Sequence, residues 1–423
     1  DLERTLHGHG LPVDVGDGEA LDALHARICK ALRTKGPVAL VNKRKMAPGV
    51  PGIEGSEKGH DVIKAKLAIE YLKARGHDAA VKYLEGLKAA KRPTQYRGIG
   101  TGEWGKNREV FGIALCEVLG ELKPEARLQS VRVFDNDLEG SCGLHYVKKA
   151  FPELYIEGGV MERGNYSAAA GFGRDPGRQG VFATFSAFLE MLISEITMAR
   201  LNESNVLAHF SHAGVDDMAD NSCHFGINNL FADNGLAEGD HTRLYFPADQ
   251  HQMRAVVKRV FADQGLRFIF STRSPVPDVV DSNDDALFSG GYQFEPGKDE
   301  IIRTGEAGYV ISYGEMLFRA LDAVERARDE GIPVGLINKP SLNVLDEATL
   351  SLAGESPFVL LVESQNRKTG LGVRYGTWLL EAGFAPRYAH LGSQRQGSGG
   401  LWEQLPHQGL GPDSILEQIR KLA

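Results

Sequence analysis

Short apolar runs recur along this chain, separated by stretches whose apolar positions follow a helical period. PVALVN, LQSVRVF, ELYIEGG, GVFATF, NVLAHFS, TRLYFP, LRFIFST, YVISYG, PVGLIN and FVLLVES read as strands. EVFGIALCEVLGEL and GEMLFRALDAVERARDEG, between such runs, read as helices. Strands alternating with helices predict parallel sheets covered on both faces. No short repeat of the solenoid kind is present.

Two stretches break the alternation. The Lys-rich segment from Lys64 to Lys91 is helix-like, charged on one face, and ends at Arg92-Pro93. DVVDSNDDALFSGGYQFEPGKDE is rich in Asp, Gly, Ser and Pro and has little period of either kind. These linkers divide the chain into residues 1–96, 97–280 and 300–423.

Composition narrows the class. A length of 423 residues suits two or three domains, and 42% hydrophobic with 25% charged residues is globular. A net charge of −8 with no basic block argues against general nucleic-acid binding. Cys29, Cys116, Cys142 and Cys223 are far apart and form no CxxC. That predicts reduced thiols in a cytoplasmic protein, not a disulfide scaffold or zinc site. No apolar run approaches membrane-spanning length, and the N-terminus is not a signal peptide. The chain opens DLERTLHGHG without Met, which predicts that a longer protein contains it.

Candidate chemistry sits just after the strand-like runs. Glu162 follows ELYIEGG and opens an Ala-rich helix. By position alone it complements the helix dipole. Phe185 and Phe188 start the helix after GVFATF, and their spacing puts them on one face with Leu189 and Leu192. By pattern alone this is a core stripe. His212, Asp220 and His224 follow NVLAHFS. Polar residues beyond a strand C-terminus lie where parallel sheets bind ligands.

In this order and at these separations, the motifs resemble the pyrimidine-binding domain of transketolase-type thiamine diphosphate enzymes. The resemblance gives Glu162 the place of the Glu in a Gly-Ile-Ala-Glu-Gln motif, which hydrogen-bonds the pyrimidine N1′ and promotes loss of the thiazolium C2 proton. Val160, Met161 and Arg163 replace Ile, Ala and Gln. Phe185 matches a Phe that stacks on the pyrimidine, and Phe188 is adjacent. His212, Asp220 and His224 match residues that contact the substrate phosphate, a sugar hydroxyl and the donor carbonyl region. The last two flank Asn221-Ser222-Cys223, a departure from the family's Gly-x-Thr pattern, and Phe225 stands for Gln. Arg108 in NREVFGIAL, Ser141 in NDLEGSCG and Arg273 in FSTRSPVP match the remaining phosphate-binding residues. Asp137 in NDLEGSCG matches a residue beside the cofactor, and His60 sits near a family active-site His.

Gly16-Asp17-Gly18 is similar to the GDG that opens the diphosphate site of these enzymes. That motif is followed after about thirty residues by an Asn ligand. Here Lys43 to Lys45 and a Pro-rich loop follow, so we expect no metal ligand in this chain. The resemblance implies an α/β protein: parallel-sheet three-layer domains of the thiamine diphosphate-binding fold plus a transketolase C-terminal domain. Residues 1–96 would be the tail of the diphosphate-binding domain and a linker, 97–280 the pyrimidine domain, and 300–423 the C-terminal domain.

It further implies thiamine diphosphate as cofactor, with Mg2+ or Ca2+ held by an N-terminal half from the same gene or a separate subunit. A homodimer or heteromer would carry a two-carbon ketol unit between sugar phosphates, without nucleic acid or membrane as partner. A deoxyxylulose-phosphate synthase, or a 2-oxoacid decarboxylase or dehydrogenase component, has similar architecture. The departures at Arg163 and Asn221 also leave open a non-catalytic subunit of the same family.

Overall fold

The computed structural model describes residues 2–56, 59, 62–88, 96–215, 224–236, 241–281, 283–396 and 404–423. His60 and Asp220 fall outside them. The chain forms two compact units, Asp1–Arg92 and Pro93–Ala423.

In the first unit, β1 (Val13–Asp17) pairs in parallel with β2 (Ala39–Lys43). The connecting helix Leu21–Arg33 buries no residue, and Leu21 and Leu32 are exposed. Among the described residues of this unit, Val50 and Val81 are the only buried hydrophobics. The Lys-rich segment forms two helices, Ala65–Lys73 and Asp78–Gly86. A two-stranded parallel sheet this open is not a stable domain by itself, because parallel sheets need both faces covered.

The second unit opens with β3 (Thr101–Gly105). A six-stranded sheet follows, built from β4 (Val131–Asp135), β5 (Tyr155–Glu157), β6 (Gln179–Phe185), β7 (Val206–Ser211), β8 (Thr242–Tyr245) and β9 (Leu266–Phe270). Its order is β5-β4-β6-β7-β9-β8 and every pairing is parallel. β7 and β9 are buried along their whole length. This is why NVLAHFS and LRFIF read as apolar runs: a strand covered on both faces has no solvent side. β10 (Val276–Val279) leaves the sheet and pairs antiparallel with β3.

The remaining strands are β11 (Glu300–Arg303), β12 (Gly308–Ser312), β13 (Val334–Asn338), β14 (Phe358–Asn366) and β15 (Arg387–Ser393). They form a second sheet in the order β11-β13-β12-β14-β15, parallel except at β11. The two sheets share one core, where Phe246 and Phe270 of the first meet Tyr313 of the second. The exposed edge of β8 is closed by the later chain: Leu342 N donates to Leu244 O at 2.8 Å, and Phe246 N to Pro340 O at 2.9 Å.

The second expected linker is in fact packed. Phe288 and Phe294 are 4% exposed, and Tyr292 and Gln252 both hydrogen-bond Glu300. Phe288 packs into the core beneath the second sheet and Phe294 against Tyr245 of the first, which the segment's Asp- and Gly-rich composition conceals. No helix among the described residues is long and apolar enough to cross a membrane.

Candidate active site

The parallel register carries the C-terminal end of every strand in the six-stranded sheet to one edge. β4 leads outward to β5, whereas β6 leads the other way to β7. The crevice between β4 and β6 is therefore a topological switch point, where open α/β sheets bind ligands. Glu162 follows β5, Asp137 and Ser141 follow β4, Phe185 ends β6, His212 follows β7 and Arg273 follows β9.

Two asparagines hold the crevice open. Asn136 is 1% exposed, and its Nδ2 donates to Ala183 O at 2.8 Å, from the end of β4 to β6. Asn165 donates to Asn136 Oδ1 at 2.8 Å and Gly159 O at 3.2 Å. It lies one turn into the helix Glu162–Phe172, so it ties that helix N-terminus to β4. Glu162 is the first residue of the helix, half-buried, as the dipole reading requires. Among the described residues it has no hydrogen-bond or ion-pair partner. The neighbouring Arg163 is engaged elsewhere, with Glu195 at 2.7 Å. Asp137 is exposed and takes φ +64°, with its N–H held by Asp135 Oδ2 at 2.9 Å.

An aromatic cluster lies across the crevice. Phe185 closes β6, contrary to its expected place at a helix start, and Phe188 lies in a 3-10 segment, Ser186–Leu192. Their rings still stack, 5.8 Å apart. The expected stripe splits. Leu189 and Leu192 go into the core, while the two Phe rings stay partly exposed. The His212 ring lies 3.9 Å from Phe185, and the His224 ring contacts Phe185 and Phe188 edge-on at 5.5 and 6.1 Å.

A cationic group adjoins it. Arg108 donates through Nε to Arg273 O at 3.2 Å, and through Nη1 to Gly140 O at 3.0 Å and Ser141 O at 3.4 Å. The β3–β10 pairing explains why residues so distant in sequence meet. Gly105 pairs with Val276, so Arg108 three residues after one and Arg273 three residues before the other leave the same end of the ribbon. Close backbone approach completes the fit. A Cβ on Gly112 would lie 1.9 Å from Gly143 O, and Gly143 itself takes φ +76°. These glycines let the Arg108 helix touch the Ser141 turn directly.

His212 joins the two groups. It is 8% exposed at φ +57°, with Nδ1 3.0 Å from Ser211 Oγ. Burial, then the charges of Arg108 and Arg273, push its pKa down to about 2. His209, fully buried on β7, is pushed down to about 3, again mainly by burial. Both are therefore neutral imidazoles. A cavity of about 690 Å3 elsewhere, between Phe231, Arg374 and Trp378, shares no residue with this site.

Of the residues singled out by sequence, the structure brings together Arg108, Ser141, Phe185, Phe188, His212, His224 and Arg273, and places Glu162 and Asp137 on the same edge. His60 and Asp220 lie outside the described residues. Asn136, Asn165, Ser211 and the paired glycines were not anticipated. An Asn at the end of an apolar strand was their one available signal. The residues fit the pyrimidine end of the implied cofactor: flat, partly exposed rings and an unpartnered carboxylate lie at one sheet edge. Ordinary strand spacing puts the ends of β5 and β6, on either side of β4, about 10 Å apart. Among the described residues, no three His, Cys, Asp or Glu side chains form a metal-holding group.

Two family descriptions match this chain. "Transketolase, pyrimidine binding domain" covers residues 107–278, and "Transketolase, C-terminal domain" covers 297–396. Transketolase-like protein 2 of Mus musculus is 25% identical over 391 residues, which span 88% of this chain and 59% of that protein. The chain thus spans about three fifths of this relative. A solved split-gene transketolase, described as an inactive beta4 tetramer, aligns with TM-score 0.63 and 26% identity over 76% of this chain and 98% of its own. Transketolase from Campylobacter jejuni aligns over the whole chain and 69% of its own, with TM-score 0.60 and 15% identity, a likeness of fold alone. The architecture is the thiamine diphosphate-binding fold followed by a transketolase C-terminal domain.

The two buried histidines predict acid sensitivity. Their folded pKa values lie below the ordinary 6.5, so the unfolded chain takes up their protons first as pH falls. Their contribution to stability is fully present above about pH 6.5 and is lost progressively below it, by about 1 kcal/mol per pH unit per imidazole. Urea unfolding between pH 7 and 4.5 should show a shallower loss for His212→Asn than for the parent chain. Identical slopes would mean that His212 is not held neutral.

Proposed function

This chain belongs to the transketolase-like, thiamine diphosphate-dependent family, and on that premise we propose that it supplies the pyrimidine-binding half of a ketol-transferring enzyme acting on sugar phosphates. The observation that carries this reading is the convergence of an aromatic wall, the buried neutral His212 and a two-arginine cluster on one sheet edge. Thiamine diphosphate, when bound, supplies the electron sink for cleavage beside a ketose carbonyl. Glu162 would hold a proton at the pyrimidine N1′. Phe185 and Phe188 would orient the ring and keep water from the reacting carbon. His224, beside both rings, would face the donor carbonyl, and His60 would take the catalytic role that its family resemblance gives it. Asp137 would line the cofactor, and Asp220 would take a sugar hydroxyl.

Arg108, Ser141, His212 and Arg273 would bind the substrate phosphate. Guanidinium groups suit that dianion because they offer several N–H donors in a fixed plane. The carbonyls of residues 140, 141 and 273 fix the Arg108 fork before any substrate arrives, which lowers the ordering cost of binding.

The metal and diphosphate would be held by a complementary half, covalently joined or separate. Two observations support this. The first unit has a β1–β2 sheet without a core, which suits the tail of a larger parallel sheet completed by further strands. The split-gene relative is a transketolase divided between genes. In this reading Mg2+ or Ca2+ sits with that half, and the assembly is a dimer or heteromer in the cytoplasm.

In the complete enzyme, Glu162→Gln should slow exchange of the cofactor C2 proton by about two to three orders of magnitude while changing cofactor affinity little. Gln can still bond N1′ but cannot stabilise its protonated form. Exchange followed by NMR at the unaltered rate would remove Glu162 from this role.

Arg108→Ala or Arg273→Ala should each raise KM for a ketose phosphate by roughly one to two orders of magnitude, the equivalent of about 1.5–3 kcal/mol for a bond to a charged group. Use of unphosphorylated hydroxypyruvate should hardly change. Equal losses on both donors would make the arginines structural.

A further inference from the structure

Two buried groups behind His212, Cys142 and Ser211, have no part in the function proposed for this site. Cys142 Sγ lies 3.3 Å from Ser211 Oγ, and Ser211 Oγ lies 3.0 Å from His212 Nδ1. Cys142 and Ser211 are fully buried. Among the described residues, the Ser211 hydroxyl touches only these two partners, and the Cys142 thiol only Ser211. Burial raises the thiol to about 12, so it keeps its hydrogen at neutral pH.

Hydrogen bookkeeping then fixes the direction of each bond. A buried hydroxyl must place its one hydrogen on an acceptor, because an unmet donor costs as much as a lost hydrogen bond. Its two choices are the thiol sulfur, a weak acceptor, and the His212 Nδ1 lone pair, a strong one. If Nδ1 carried the ring proton, Ser211 would have to donate to the thiol sulfur, the weaker acceptor, and the buried thiol hydrogen would be left unmet. If Nδ1 is bare, every group is satisfied: the thiol donates to Ser211 Oγ, and Ser211 donates to Nδ1.

We infer that Cys142 and Ser211 act as a positioning relay that holds His212 as its Nε2–H tautomer, and so as a neutral hydrogen-bond donor at the ring edge opposite Ser211. That edge matters because Arg108 and Arg273 influence the same ring. An Nε2–H can join the two guanidinium groups in donating to an anionic oxygen. A bare Nε2 lone pair would repel it. The use of the donor for phosphate rests on the function proposed above, whereas the tautomer does not.

His209 gives an internal contrast on the same strand. Its Nδ1 lies 3.2 Å from Cys142 O, and a carbonyl can only accept, so Nδ1 must carry the proton. Its Nε2, 2.9 Å from Ser271 Oγ, then accepts from that hydroxyl. The two histidines should therefore be opposite tautomers, both anchored on Cys142.

The test is long-range proton–nitrogen NMR of the full chain labelled with 15N-histidine, with His212 assigned from its loss in His212→Gln. The expected spectrum at pH 7 shows Nε2–H for His212 and Nδ1–H for His209. Ser211→Ala should reduce the Nε2–H form of His212 from about nine-tenths to about a half, as loss of one such bond allows. Ser211→Thr should restore it, and His209 should stay unchanged in both. A parent spectrum with Nδ1–H on His212 overturns the relay, as does Ser211→Ala leaving the tautomer untouched. The parent spectrum is decisive even if Ser211→Ala does not fold. Inorganic phosphate, added to the parent chain, should shift the His212 Nε2–H signal. An Nε2–H signal that ignores phosphate would uphold the relay and count against the phosphate reading instead.

Discussion

The parallel register of the six-stranded sheet is the constraint on which the site depends. It carries Glu162, Ser141, Phe185, His212 and Arg273 to one edge from five different strands. A single reversed strand would send its residue to the opposite edge of the sheet. The reversal of winding between β4 and β6 then leaves a crevice that no crossover covers. Asn136 and Asn165 line it with satisfied amides, so its walls keep their shape without a ligand.

A second closure works on top of the first. The β3–β10 ribbon gathers the two ends of the central domain and delivers Arg108 and Arg273 side by side. Both guanidinium charges act on His212, and the carbonyls around Arg108 offset part of the cost of gathering like charge there. Burial first, and then this positive field, hold His212 neutral, and the field favours an anion. Left-handed backbone at Asp137 and His212, both non-glycine residues at strand ends, fits a site whose shape is set by its surroundings.

Much of this was legible in the sequence, for physical reasons. Central parallel strands are buried on both faces, so runs such as GVFATF and NVLAHFS stood out. β3 and β10 did not, because TGEWG and VPDV are short, carry Gly or Pro, and gain their partners only from tertiary pairing. Phe185 closes a strand where its i, i+3 spacing with Phe188 suggested a helix. A 3-10 turn brings such residues to one side as well. Charged and glycine-rich composition hid the packed Phe288 and Phe294. Residue types alone could not reveal Asn136, Asn165 or the Gly112–Gly143 contact, since each is defined by what it touches. The motif residues themselves came from a family resemblance, and the structure adds their juxtaposition.

On the proposed reading, this edge is one half of a cofactor site. Its rings and unpartnered carboxylate suit a pyrimidine, and the first unit carries a two-stranded parallel sheet with almost no core. Calorimetric titration of thiamine diphosphate with Mg2+ tests this most directly, on the chain alone and on the chain joined by its diphosphate-binding half. Binding should be weaker than about millimolar for the chain alone and about micromolar or tighter for the assembly. Micromolar binding by the chain alone would contradict that reading.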